Sequence, residues 1–234
     1  MAKRAGGESL AMMVYEQLRS AILNGDRAPG ERLKPADLGA RFEVSLSVVR
    51  EALGLLAAKD LVRIDRNRGF QVAQLSLPAL ANLTEARVIN EGNALRLAIE
   101  RGSVTWESEV LAAHHRLASQ PMFIPGDPPR RNEDWARAHL EFHFTLVQAC
   151  DNPVLLDICA RLSDAAELYR AWSAPGTREL HRDVAGEHQA LADAALAHDA
   201  DTAVALFEAH VRRTQQILNE VGFVGNAAVD SLSQ

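Results

Sequence analysis

A chain of 234 residues, 47% hydrophobic and 24% charged, is long enough to bury one core or split into two small domains, which excludes disorder, collagen and a coiled-coil fibre. Its net charge of −6 is unevenly spread: residues 1–75 carry 12 Lys/Arg against 9 Asp/Glu and residues 76–234 carry 13 against 22, so only the first third is suited to a polyanion. No stretch reaches the roughly 18 apolar residues of a membrane span, residues 1–20 lack the apolar run of a secretory signal, and the two cysteines, Cys150 and Cys159, have no Cys-x-x-Cys spacing and read as core thiols.

In chain order, Met13, Val14, Leu18, Ala21 and Ile22 recur at helical spacing, so the first helix is expected over 10–23, capped by Ser9 and stopped by Asn24-Gly25. A turn at Pro29-Gly30 precedes a short helix over Lys34–Phe42, and Ser45 or Ser47 can cap a third helix running to Ala58. The period then changes. Leu61–Asp65 and Phe70–Ala73 alternate as strands around Arg66-Asn67-Arg68-Gly69, a hairpin signal. Three short helices and a basic hairpin make the order of a winged helix-turn-helix. After Pro78 no strand is expected, and helices are predicted over about 78–101, 105–119, 132–150, 153–172, 179–198 and 200–221, broken at Gly102-Ser103, Pro121–Pro129, Asn152-Pro153, Ala174-Pro175-Gly176 and His198-Asp199. The fold class is thus mainly α: a winged helix-turn-helix over 1–75, an all-helical bundle over 76–224 and a frayed tail over 225–234.

On the third helix Val49, Leu53 and Leu56 face inward, which leaves Leu46, Ser47 and Arg50 outward at the N-terminal end, the end a recognition helix puts into the major groove. Arg50 can form a bidentate contact with a guanine edge or meet a phosphate. Ser45, Ser47 and the helix N-terminus suit phosphate, and Arg66, Arg68 and Gly69 on the hairpin, with Lys34 before the second helix, complete the candidate DNA-contacting set. A lone surface arginine is usually just solvated; here its place in a helix-turn-helix with a basic wing favours DNA. The motifs Tyr15-x-x-Leu18-Arg19-x-x-Ile22-x-x-Gly25, Pro29-Gly30-Glu31-Arg32-Leu33, Val44-Ser45 to Val49-Arg50-Glu51-Ala52-Leu53, Leu61-Val62 and Gly69-Phe70-x-Val72 resemble the GntR family of bacterial transcription regulators. Leu46 and Ala36 stand where that family often has arginines. The resemblance implies a homodimer on a palindromic double-stranded DNA operator.

In the second domain His139 and His143 lie four apart on one helical face. His188 shares a face with Val184, Leu191 and Ala195, and His210 one with Ala203, Phe207 and Ile217, so both point inward. Such a layout can build a metal site in a bundle core, with neutral imidazoles suited to zinc or another transition ion; a single histidine on an apolar face is more often a hydrogen-bonded core residue. His114, His115, His181 and His198 read as solvated. Residues 78–221 also resemble the FCD ligand-binding domain of the FadR-like branch, through Arg87-x-x-x-Glu91, Phe142-His143, Asn152-Pro153-x-Leu155, Glu187-His188 and His210. The resemblance implies a metal on three histidines plus an acidic or amide residue four before His143, where this chain has His139; the shell therefore has four imidazoles, or three with His139 aside. Arg87 lies on an otherwise apolar stripe with Leu80, Leu83, Ala94 and Ala98. It is either in a buried ion pair or, as the resemblance implies, holds the carboxylate of a small organic-acid effector together with the metal.

These readings describe a cytoplasmic, dimeric, ligand-responsive regulator, a repressor in most of that family, that senses a small carboxylate through a metal-containing helical domain. A metal sensor proper is the alternative. A histidine-metal enzyme is disfavoured, because no His-Glu-x-x-His motif occurs and Glu141 projects from another face than His139 and His143.

Overall fold

The computed structural model describes residues 2–23, 26–65, 69–126, 130–171 and 182–221. Asn24-Gly25, Arg66, Arg68, residues 127–129, Ala174-Pro175-Gly176, His181 and the expected tail lie outside them. Two compact units result, one built on the chain to Ser76 with residues from Glu167 at the end of a later helix, the other on Leu77–Ala166 and the last two helices.

In the first unit α1 (Ala2–Leu23), β1 (Arg32–Leu33), α2 (Pro35–Phe42), α3 (Leu46–Ala58), β2 (Val62–Asp65) and β3 (Gly69–Val72) follow in order. Val14, Leu18 and Ile22 of α1 and Val49, Leu53 and Leu56 of α3 are each at most 1% exposed where the two helices pack together; each such side chain contributes about 1.5 to 3 kcal/mol of burial. Ser45 caps α3 by accepting from the Val48 amide at 3.4 Å, as expected, whereas α1 begins at Ala2 and so starts before Ser9, the expected cap. The hairpin of β2 and β3 pairs Val62 with Val72 and Asp65 with Gly69. A third strand not expected from the sequence, β1, pairs antiparallel with β3; two residues are too few to show alternation. The turn before it needs Gly30, whose φ is +77°, and closes with the Glu31 amide donating to Ala28 at 2.9 Å.

The second unit holds α4 (Leu77–Arg101), α5 (Val104–Ala118), β4 (Phe123–Ile124), β5 (Arg130–Arg131), α6 (Glu133–Gln148), most of α7 (Pro153–Ala171), α8 (Val184–Leu196) and α9 (Ala200–Val221). Helices α4, α6, α8 and α9 surround a core in which Leu95, Phe142, Leu146 and Leu191 are at most 1% exposed. Caps set the boundaries: Ser103 begins α5, Asn132 α6 and Asp183 α8, the last accepting from the Gly186 amide at 2.8 Å. The last helix pair therefore differs from expectation, since α8 starts at Val184 and not near 179. The antiparallel ribbon β4–β5 also corrects the expectation of helices alone after Pro78. Cys150 and Cys159 are buried and unbridged; burial, with the Glu91 carboxylate adding, pushes the Cys159 thiol up to about 12, an inert core thiol.

Candidate metal centre and nucleic-acid interface

Helix α6 is amphipathic with an aromatic inner face. Trp135, His139, Phe142, His143 and Leu146 recur at three- and four-residue spacing, and all are buried. Trp135 stacks on His139 with ring centroids 4.7 Å apart and planes 18° from parallel. Helices α8 and α9, joined by a short turn, each bring one histidine from an apolar face. The four imidazoles of His139, His143, His188 and His210 come together, 2 to 8% exposed, and one nitrogen from each lies within 4.8 Å of the others. His139 is therefore a member of the cluster, 4.5 Å from His143 and 5.0 Å from His188 between centroids.

The donor set fits a transition ion. Four nitrogen donors and no carboxylate suit zinc, copper or nickel and not magnesium or calcium.

A second layer orients one ring. Glu187 Oε2 accepts from His210 Nδ1 at 2.7 Å, so the Nδ1 proton is assigned to that bond and Nε2 carries the lone pair. Arg182 donates from Nε to Glu187 Oε1 at 2.7 Å, from Nη2 to the His210 carbonyl at 2.9 Å and from Nη1 to Thr214 Oγ1 at 2.9 Å. Its 3.2 Å approach to His210 Nδ1 sets two donors face to face and is no bond. Neither Glu187 as a partner of His210 nor Arg182 was singled out from the sequence. The Glu187-His188 pair was visible as a motif; Arg182 precedes its helix and shows no periodic signal.

Arg87 takes the ion-pair alternative at least in part. Its Nε and one terminal nitrogen donate to Glu91 at 2.7 and 3.0 Å, with both residues 4% exposed. The guanidinium lies over the Phe207 ring, 5.9 Å from its centroid, and Phe207 in turn stands 6.1 Å from His143. Of the histidines expected to be solvated, His114 is not, and His198 is exposed as expected yet makes two hydrogen bonds. His114 is half-buried against Phe142, and burial lowers its pKa; His198 is held by Glu107 and the Ile99 carbonyl.

On the first unit the expected DNA-facing residues share one surface character. Lys34, Ser45, Leu46, Ser47, Arg50 and Gly69 are all exposed, Leu46 at 48%. Leu46 opens α3 and leaves about half of an apolar side chain to water. Ser45 and Ser47 share a hydroxyl contact of 2.8 Å, which holds both beside the α3 N-terminus, where orphan amides and the helix dipole favour an anion.

Among known proteins, residues 10–72 match the description of bacterial regulatory proteins of the gntR family and residues 82–213 that of the FCD domain. The HTH-type transcriptional regulator BphR of Paraburkholderia xenovorans (strain LB400) is 34% identical over 94% of this chain and 89% of its own. The HTH-type transcriptional repressor GlaR of Escherichia coli (strain K12) is 32% identical over 84% and 90%. Of solved structures, E. coli McbR/YncC superposes with a TM-score of 0.69 over 90% of this chain and 97% of that one at 20% identity, a likeness of fold. These relatives are regulators and not enzymes, and among the described residues no helix is long and apolar enough to cross a membrane. The chain belongs to the GntR family of transcription regulators, with a helix-turn-helix domain at its N-terminus and an FCD domain after it.

Proposed function

We infer that this regulator is a cytoplasmic homodimeric repressor that binds a palindromic operator through residues 1–75 and leaves it when a small organic acid enters the helical domain of residues 76–224. The observation that carries the sensing half is the convergence of four buried imidazoles from three helices. Four imidazoles brought this close in a helical interior make a donor set suited to a transition cation. His139, His143, His188 and His210 would hold a divalent transition ion, with zinc the best match to the donor set. When bound, the ion supplies a fixed positive charge that attracts a carboxylate. Arg87 is proposed as a second anchor, since Glu91 engages Nε and one terminal nitrogen and leaves the other for an acid. On the DNA side, Leu46, Ser47 and Arg50 read base edges and backbone from α3, and Lys34, Ser45, Arg66, Arg68 and Gly69 contact the backbone or the adjacent groove. The repressor sign rests on the name borne by the relative GlaR.

Metal analysis of the purified protein joined to an operator-release assay tests the reading. About one transition ion per chain is expected, lost in a His143→Ala, His188→Ala, His210→Ala triple variant. Metal at full stoichiometry in that variant would remove the site. Titrating metal alone against operator binding separates a metal sensor, which releases without acid, from an acid sensor, which does not.

A further inference from the structure

A cavity of about 500 Å³ opens between the C-terminal half of α5, the segment leading into β4, and the N-terminal turns of α8. One metal-site histidine, His188, and the Trp135 ring stacked on another form part of its wall. The rest of that wall is largely apolar, with Leu117, Met122, Phe123 and Val184 facing the space. Its charged lining residues cancel or are occupied: Arg182 is bound to Glu187, and Asp183 caps α8. The cavity meets the histidine cluster at His188, while Arg87 lies against Phe207, which does not line it.

The donor set decides which ligand such a cavity suits. Four neutral imidazoles do nothing to offset the two positive charges of a divalent ion, and Glu187 is already matched by Arg182. The centre therefore attracts an anion strongly, while the walls that extend from it reward apolar surface, and Arg182, the arginine among the described lining residues, is already held by Glu187. We propose that this cavity is the specificity pocket of the effector site and takes a monocarboxylate with an apolar body, its carboxylate at the histidine-held ion and its body against Leu117, Met122, Phe123 and Trp135. This rests on the acid-sensing reading given above and adds the ligand class and the residues that select it.

The test titrates acetate, butyrate, hexanoate, 3-phenylpropanoate and glutarate into the zinc-loaded full-length protein by calorimetry and by tryptophan fluorescence, which Trp135 should report. Affinity is expected to rise from acetate to hexanoate by up to about fourfold for each methylene transferred from water to the walls, and 3-phenylpropanoate should bind at least about tenfold more tightly than glutarate. Phe123→Asp, at a half-buried position, and Leu117→Gln should each flatten that series with zinc content unchanged. A flat series in the parent, a preference for glutarate, or variants that keep the parent's slope would overturn the pocket while leaving acid sensing intact. Weakening of every acid alike in an Arg87→Met, Glu91→Met double variant, with the slope kept, supports the division of labour; loss of the slope in that variant overturns it. Should no acid bind the zinc-loaded protein, the acid-sensing reading falls and the pocket with it.

Discussion

His139 changes the charge of the centre more than its shape. An acidic residue at that place would bring a bound divalent ion to a net +1, whereas four imidazoles leave +2. His139→Asp is therefore expected to retain about one zinc per chain and to bind organic acids more weakly, seen by metal analysis beside calorimetry; loss of the metal would show that the imidazole itself is indispensable. Glu187 acts one bond further out. By holding the proton on His210 Nδ1 at 2.7 Å it keeps Nε2 basic, and such outer partners are worth about 10- to 100-fold in metal affinity. Glu187→Gln should show a loss of that order in competition with a chromophoric chelator, with its circular dichroism unchanged. On the DNA side, Arg50→Ala should cost about 1 to 3 kcal/mol of operator binding and relax base preference, while Arg68→Ala weakens all sequences evenly and lowers the salt slope by about one. Fluorescence anisotropy on matched and scrambled duplexes at several salt concentrations separates the two, and equal behaviour of both variants would argue against base reading by Arg50.

Individual elements are tied by contacts that the sequence shows unevenly. His198, in the α8–α9 turn, bonds the Ile99 carbonyl near the end of α4 through Nδ1 and Glu107 of α5 through Nε2, each at 2.9 Å. Both partners are acceptors, so both bonds form only with the imidazolium, and the Glu107 bond, followed by the Ile99 bond, raises the pKa of His198. The neighbouring Asp199 is held ionised by Thr202 and adds no opposing charge. A raised folded-state pKa means the stabilisation is complete below the unfolded value of about 6.5 and fades as pH rises through the folded value. The gap in Tm between the parent and His198→Ala should accordingly be wider at about pH 6 than at about pH 9; a gap that does not change with pH would make His198 a packing residue only. The break at His198-Asp199 was legible in the sequence, but the contacts of His198 were not, because a polar histidine between helices has no period. The i,i+4 spacing of His139 and His143 was legible, as were the inward faces that carry His188 and His210, because a 3.6-residue repeat projects them together. The helix start marked by Ser45 was legible for a local reason, a side-chain oxygen meeting an orphan amide. Two-residue strands such as β1, β4 and β5 were not, since pairing with a distant partner defines them. Arg87 and Glu91 were visible four apart, yet whether an arginine on an apolar stripe meets a carboxylate of its own helix or of a ligand is settled by geometry and not by spacing.

Across the whole molecule the question is how an acid in one domain changes what another does on DNA. Binding can shift the operator equilibrium only by the difference in its affinity for the DNA-bound and released forms, typically about 1 to 3 kcal/mol. Arg87 allows that difference to be probed at one anchor, but not by simple truncation. Arg87→Ala would strand the Glu91 carboxylate, 4% exposed, and unpairing a buried charge costs about 3 to 5 kcal/mol of stability, which would blur any effect on sensing. Replacing both residues by methionine removes the pair as a unit and costs far less, because apolar groups of similar volume suit a site that is already dry. With the paired replacement, operator affinity in the absence of acid should match the parent's. The acid concentration that releases half the operator should rise about tenfold or more, since a charge-assisted hydrogen bond contributes roughly 1.5 to 3 kcal/mol. Arg87→Lys, which keeps the charge and loses the planar fork, should fall between the two. The measurement is an anisotropy titration of hexanoate into the preformed operator complex, with zinc content checked in each variant. Release at the parent's concentrations would mean that Arg87 and Glu91 serve only to hold α4, leaving the ion as the sole anchor of the carboxylate.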